Sequence, residues 1–260
     1  LREADRRGMG DAFLKFLGTA GARVVVFKQL RASGGLWLEL NGTRIHIDPG
    51  PGALVRVLSS RPKLDPAKLD ALLLTHRHLD HSADINVMIE AMTEGGRRKG
   101  GVLFAPADAL DEDPVVLNYV RGYLGRVEVL EEGKSYRVGG ITFSTPLRHR
   151  HSVETYGLIV EGRIALISDT LFFPDLIEAY RGVEVLVINV VRAGERDERI
   201  EHLTLGDARE LIEGIRPKRA ILTHFGMTVL QAKPWEVAEG LSRETGCEVI
   251  AARDGMTLEL

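Results

Sequence analysis

The chain has 260 residues, with 34 basic and 37 acidic side chains and a net charge of −3. It can bury a sizeable core, and it lacks the global basic field of a dedicated nucleic-acid binder. Hydrophobic residues at 44% and charged residues at 27% are ordinary for a folded, water-soluble protein.

Residues 1–12 are polar, arginine-rich and without periodicity, and read as a flexible extension ahead of one domain over 13–260. Residues 13–21 read as a strand running into a glycine turn. Two short runs, 33–40 and 44–48, flank Asn41-Gly42 as a β-hairpin. Asp48-Pro49-Gly50-Pro51-Gly52 stops its second strand. Residues 53–60 read as helical, and 69–75 as a nearly all-apolar strand buried on both faces. A helix over about 83–94 ends at Gly95-Gly96.

The second half repeats the rhythm. Strands are expected at 102–105, 127–130, 136–138 and 141–144, and a hairpin of 156–160 with 163–168 around Glu161-Gly162. A strand at 183–191, a helix at 205–215, a strand at 219–223, a helix at about 235–245 and two closing strands complete the chain. No Pro/Ser-rich linker divides the two similar halves. The expected fold class is α/β: an αββα sandwich of two mixed β-sheets packed face to face, with helices on the outer faces. No apolar run approaches the roughly 20 residues needed to cross a bilayer. The single cysteine, Cys247, has no partner for an intramolecular disulfide. With no secretory signal ahead of the first strand, a cytoplasmic setting and no membrane partner are expected.

The chemistry lies where strands end. His76, His78, Asp80 and His81 fall within six positions, directly after the buried strand. Residues two apart in extended chain point the same way, so His76 and His78 can approach one ion together, while the turn sends Asp80 and His81 elsewhere. Imidazole suits zinc, iron or manganese, and a carboxylate adds a hard oxygen and negative charge.

Thr75-His76-Arg77-His78-Leu79-Asp80-His81 resembles the His-x-His-x-Asp-His signature of the metallo-β-lactamase superfamily. Further landmarks follow in that family's order: Ile47-Asp48-Pro49-Gly50, Arg150-His151-Ser152 with Gly157, Ser168-Asp169-Thr170, and Leu222-Thr223-His224-Phe225. The resemblance implies two divalent metal ions, zinc first, with manganese or iron as alternatives. His76, His78 and His151 would hold one ion and Asp80, His81 and His224 the other, with Asp169 bridging. His149 competes with His151, which the downstream Gly157-Leu158-Ile159 favours. Asp48 would orient a ligand imidazole through its other ring nitrogen. A water shared by the two ions would reach a pKa near neutral and attack a carbonyl or phosphorus centre.

Asp80, at the metal edge, and His202 are the candidate catalytic residues. Glu201-His202-Leu203-Thr204 resembles the His-x-Thr element of the ribonuclease Z and cyclic-phosphodiesterase branches, where a histidine outside the metal shell contacts the phosphate or leaving oxygen. A bland reading makes Thr204 the N-cap of the following helix. Phe16-Leu17-Gly18-Thr19-Ala20-Gly21 also resembles those branches more than glyoxalase II or the antibiotic-hydrolysing members. The chain departs from ribonuclease Z in lacking a long Gly/Pro- and Lys-rich arm, and in carrying Asn189 near the expected His-Glu pair. The expected partner is therefore a small or cyclic phosphodiester or a short nucleic acid, and the expected activity that of a dinuclear phosphodiesterase. A thioester or lactone hydrolase on the same metal site is the alternative, and a non-catalytic metal-binding protein the third reading. Dimers are common in the family, which makes a homodimer an expectation. Arg31, Arg148, Arg150 and Arg97-Arg98-Lys99 are basic positions with a bearing on substrate.

Overall fold

The computed structural model describes residues 12–260. The expected N-terminal extension therefore lies, apart from Ala12, outside the described residues. The carbonyl of Ala12 already accepts a hydrogen bond from Leu260 N (3.2 Å).

Among the described residues, fourteen strands form two seven-stranded sheets. The first contains β1 (Phe13–Phe16), β2 (Leu36–Leu40), β3 (Thr43–Ile47), β4 (Ala71–Leu73), β5 (Val102–Ala105) and β6 (Arg126–Val129). The second contains β7 (Lys134–Val138), β8 (Ile141–Thr145), β9 (Leu158–Val160), β10 (Ile164–Ile167), β11 (Val185–Asn189), β12 (Arg219–Thr223) and β13 (Glu248–Ala251). The last strand, β14 (Thr257–Glu259), returns to the first sheet and pairs with β1, giving orders β14-β1-β2-β3-β4-β5-β6 and β13-β12-β11-β10-β9-β8-β7. Each sheet is mixed. β3 through β6 and β10 through β13 pair in parallel, and the remaining pairs are antiparallel.

Alternation along the strands builds the layers. Leu14, Phe16, Leu38, Ile45, Phe104, Phe143, Leu158, Val187 and Ile221 meet in one core between the sheets. Opposite faces of the same strands bury Trp37, Leu72 and Leu103 beneath the helices Ala53–Ser59 and Ile85–Thr93. On the other side, Ile167, Leu186 and Leu222 lie beneath Leu205–Ile215 and Pro234–Thr245. These are the four layers of the expected αββα sandwich.

Two local differences matter for the site. The apolar run at 69–75 is a strand only over Ala71–Leu73, because a 3-10 turn at Pro66–Lys68 occupies its approach and Thr75 at its exit bonds to a side chain. The helix expected from 83 is preceded by a separate short helix, Leu79–Ser82, which carries Asp80 and His81. Ala22–Phe27 is also helical, although its three consecutive valines favour extended chain.

Candidate metal centre

Parallel strands end together, so the loops leaving β3, β4, β10 and β12 converge at one edge of the sandwich. Asp48 follows β3 with a left-handed backbone (φ 52°). Its Oδ1 accepts Thr75 N (2.7 Å) and its Oδ2 accepts both Thr75 Oγ1 (2.7 Å) and His81 Nδ1 (2.9 Å). One buried carboxylate thus braces the exit of β4 and the helix beyond it. Thr75 has spent its hydroxyl proton on Asp48, so Oγ1 can only accept from His76 Nδ1 (3.0 Å). That assigns the His76 proton to Nδ1 and leaves a bare lone pair at Nε2, which is buried and without a hydrogen-bond partner.

The same logic fixes two more rings. His81 donates Nδ1–H to Asp48, so its Nε2 is free and lies 3.3 Å from His224 Nε2. His151 donates Nδ1–H to the Glu201 carbonyl (3.0 Å), and its Nε2 lies 3.1 Å from His78 Nδ1. Lone pairs brought this close repel unless a proton or a cation lies between them. Asp169, after β10, sits among these rings. Its Oδ2 is 3.6 Å from His81 Nε2, 3.4 Å from His224 Nε2 and 3.4 Å from His202 Nδ1, while Oδ1 accepts Asn189 Nδ2 (2.8 Å). Three sets of donor atoms, each within 4.8 Å of one another, could hold an ion: His76/His78/His151, His76/His81/Asp169 and Asp80/His81/His224. Convergent bare imidazole nitrogens and two carboxylates fit divalent metals.

The electrostatics agree with that fit. Burial, reinforced by His81, pushes the His76 pKa well below its ordinary value, and burial followed by the facing ring lowers His78. For His151 burial again dominates a downward shift. A lowered pKa favours the neutral ring, the form that ligates. Burial also pulls His81 down, but Asp80, Asp48 and Asp169 together outweigh it and raise its pKa well above the usual value. Burial would raise Asp169, yet His224, His202 and His81 hold it well below the usual carboxylate range. The Asp80/His81/His224 half therefore calls for positive charge.

His149 takes a different place. Its Nε2 pairs with Tyr180 Oη (2.9 Å), and burial lowers its pKa to about 3. It belongs to none of the three donor sets, whereas His151 does. His202 lies at the rim, its ring 5.2 Å from His151 and its side chain 22% exposed. Thr204 is the N-cap of Leu205–Ile215, in a reciprocal capping box with Asp207. The N-cap reading of this segment is thus observed, and His202 stands beside the donor sets without belonging to any of them.

Close approach of backbone completes the frame. A Cβ on Gly21 would lie 2.0 Å from the His224 carbonyl oxygen, and one on Gly50 1.9 Å from that of Asp80. Sequence reasoning did not assign these glycines, nor Asn189 as the clamp on Asp169, nor Ser168 Oγ, 2.9 Å from Thr75 Oγ1. Among the basic positions, the Arg150 guanidinium stacks 4.3 Å from the Phe173 ring centre. Arg31 lines a groove with Trp235 and Arg253, away from the donor sets. Arg98 bonds Glu94 and the Ala67 carbonyl, as a solvated connection would.

Residues 43–225 match the family model of the beta-lactamase superfamily domain. An uncharacterized protein of Methanocaldococcus jannaschii is 36% identical over 94% of each chain. The ribonuclease Z of Methanopyrus kandleri is 27% identical over 96% of this chain and 98% of its own. Among solved structures, the metallo-β-lactamase fold protein YhfI of Bacillus subtilis superposes with a TM-score of 0.77 at 18% identity, over 96% of this chain and 99% of that one. A diphosphatase of the PhnP family gives 0.70 at 22%, over 96% and 97%. No helix among the described residues is long and apolar enough to cross a membrane. The chain belongs to the beta-lactamase superfamily and has the metallo-β-lactamase fold.

Proposed function

We propose that this chain is a dinuclear metal-dependent phosphodiesterase acting on a small or cyclic phosphodiester or a short nucleic acid. His76, His78 and His151 would hold one ion, Asp80, His81 and His224 a second, and Asp169 both, with zinc favoured by the imidazole-rich set. Bound there, such ions supply Lewis acidity and a water acidified toward neutral pH.

The residues of the chain do the rest. Asp48, Thr75 and the Glu201 carbonyl hold the protons of His81, His76 and His151 on Nδ1, so that each Nε2 faces inward. Asn189 occupies one oxygen of Asp169 and leaves the other turned to the rings. The observation that carries the phosphodiester reading is His202. It stands outside all three donor sets, with Nδ1 3.4 Å from Asp169 Oδ2 and its ring partly open to solvent. Burial lowers its pKa, with Asp169 opposing. As a neutral ring it offers an N–H to a phosphoryl oxygen; protonated, it supplies the proton that a leaving oxygen requires. The named activity of the Methanopyrus ribonuclease Z supports the same class.

The test is hydrolysis of bis(p-nitrophenyl) phosphate by zinc- or manganese-reconstituted protein, beside a thioester and a lactone, with His202→Ala in parallel. Metal-dependent turnover of the phosphodiester that collapses in the variant supports the reading. Turnover of the carbonyl substrates alone, indifferent to His202, overturns it and leaves an acyl hydrolase.

A further inference from the structure

Lys15 is an anomaly in the first sheet. It lies on β1 on the same face as Phe13 and Leu17, under the outer helices, and is only 1% exposed. Lysine is seldom fully buried unless an opposite charge accompanies it, because removing an ammonium from water costs several kcal/mol. Here the companions are neutral. Nζ donates to the Arg61 carbonyl (2.9 Å), the Gly255 carbonyl (3.0 Å) and Thr257 Oγ1 (3.0 Å). All three N–H bonds are used, yet the charge is not neutralised.

The surroundings add charge of the same sign. A cleft of about 260 Å³ opens beside Lys15, lined also by Arg56, Arg61, Ser59 and Ser60, and no acidic side chain among the described residues lines it. Arg56 is anchored, its Nε donating to the Leu17 carbonyl (3.1 Å), which leaves its terminal nitrogens uncommitted among the described residues. Burial and the Arg56 guanidinium both push the Lys15 pKa down. Three cations around one cleft without an acidic lining among the described residues are a poor packing solution. They are a good receptor for a compact dianion, which guanidinium groups grip in bidentate fashion.

We propose that this cleft, between β1 and the helix Ala53–Ser59, binds a phosphate-class anion at a site separate from the metal centre. Arg56 and Arg61 donate to the anion, and Lys15 contributes fixed positive charge from beneath. No metal-centre donor residue lines the cleft.

The test counts phosphate bound per chain by equilibrium dialysis at constant ionic strength, using metal-loaded full-length protein. It compares wild type with R56A/R61A and with the charge-matched R98A/R243A, whose arginines pair with Glu94 in the turn after Ile85–Thr93 and with Glu239 on Pro234–Thr245. Phosphate held at the metals is common to all three and cancels. The expected result is one phosphate fewer per chain in R56A/R61A, or at least tenfold weaker binding of that phosphate, with the control unchanged. Competition with AMP separates the sources: displacement at this site identifies a phosphomonoester as ligand, and its lack identifies inorganic phosphate. Equal binding by wild type and R56A/R61A, or an equal loss in the control, overturns the proposal. The count is independent of turnover, so failure of the phosphodiesterase reading leaves it interpretable.

Discussion

The two sheets contribute to the metal centre in different ways. The first delivers its donors from one stretch, His76 to His81, braced locally by Asp48 and Thr75. The second delivers His151 from the middle of the β8–β9 connection, Asp169 from just beyond β10 and His224 from just beyond β12. A contiguous site is held by hydrogen bonds from the end of the adjacent strand, β3. A dispersed one is held by the registry of the whole sheet. His224 shows the cost, since its backbone is left-handed (φ 58°) in a conformation that only its surroundings enforce.

Cutting either contribution at its centre should have the largest effect. His76→Ala removes a donor common to two of the sets, and Asp169→Ala removes the carboxylate of the set that shares His76 with one neighbour and His81 with the other. Metal-reconstituted variants should lose at least about 10³-fold in turnover, as removal of a core catalytic group does, and should retain less metal by elemental analysis. A variant that keeps both metal and rate removes that residue from the account.

His202→Ala sharpens the comparison by sparing both halves. Metal content should stay unchanged while the rate falls by about 10² to 10⁴, the usual worth of a positioned acid or base. If the ring gives a proton to the leaving oxygen, the loss should be greater for an alkyl phosphodiester than for the p-nitrophenyl ester. Equal losses would assign it to phosphoryl contact alone.

Asp48→Ala tests the local brace. It leaves Thr75 N without its acceptor and frees His81 to rotate, so metal affinity should fall about 10- to 100-fold. Loss confined to the Asp80/His81/His224 ion, followed by titration with a chromophoric chelator, would separate this brace from the sheet registry that holds His151.

The smallest effect concerns stability. His46 is wholly buried, donates Nε2–H to the Gly34 carbonyl (2.7 Å), and has its pKa lowered to about 4 by burial. The unfolded chain binds this proton near pH 6.5, so protonation favours unfolding. The contribution is complete above pH 6.5, is lost as pH falls toward 4, and is flat below. The total is on the order of 3 kcal/mol. His46→Gln keeps an N–H for Gly34 and does not titrate, so its denaturation midpoint in EDTA should fall less than that of wild type across this window. Parallel curves would contradict the assignment.

The same contrast governs what the sequence made legible. His76, His78, Asp80 and His81 stand together and announce a metal before any fold is known. His151, Asp169 and His224 are single residues in three separate connections, readable only because a family resemblance supplied their order. Regular elements with a clear period, such as 205–215 and 219–223, were found at their observed bounds. The short helices Ala22–Phe27, Asp175–Ala179 and Met227–Gln231 were not. Each is only five or six residues long, too short to express a helical period, and is held by packing. Asn189 was noticed for what it replaced, but its bond to Asp169 depends on β10 and β11 lying side by side. Gly21 and Gly50 carry no local signal, because what they avoid is distant in the chain.

The central claim is that two sheets each complete one site for two ions. Elemental analysis of zinc in full-length protein, reconstituted and freed of loose metal, tests it most directly when wild type is measured beside His151→Ala and His224→Ala. The account predicts two ions per chain in wild type and about one in each variant, with the remaining ion held by the other donor set. A wild-type value of one or none, or variants that both retain two, would contradict it.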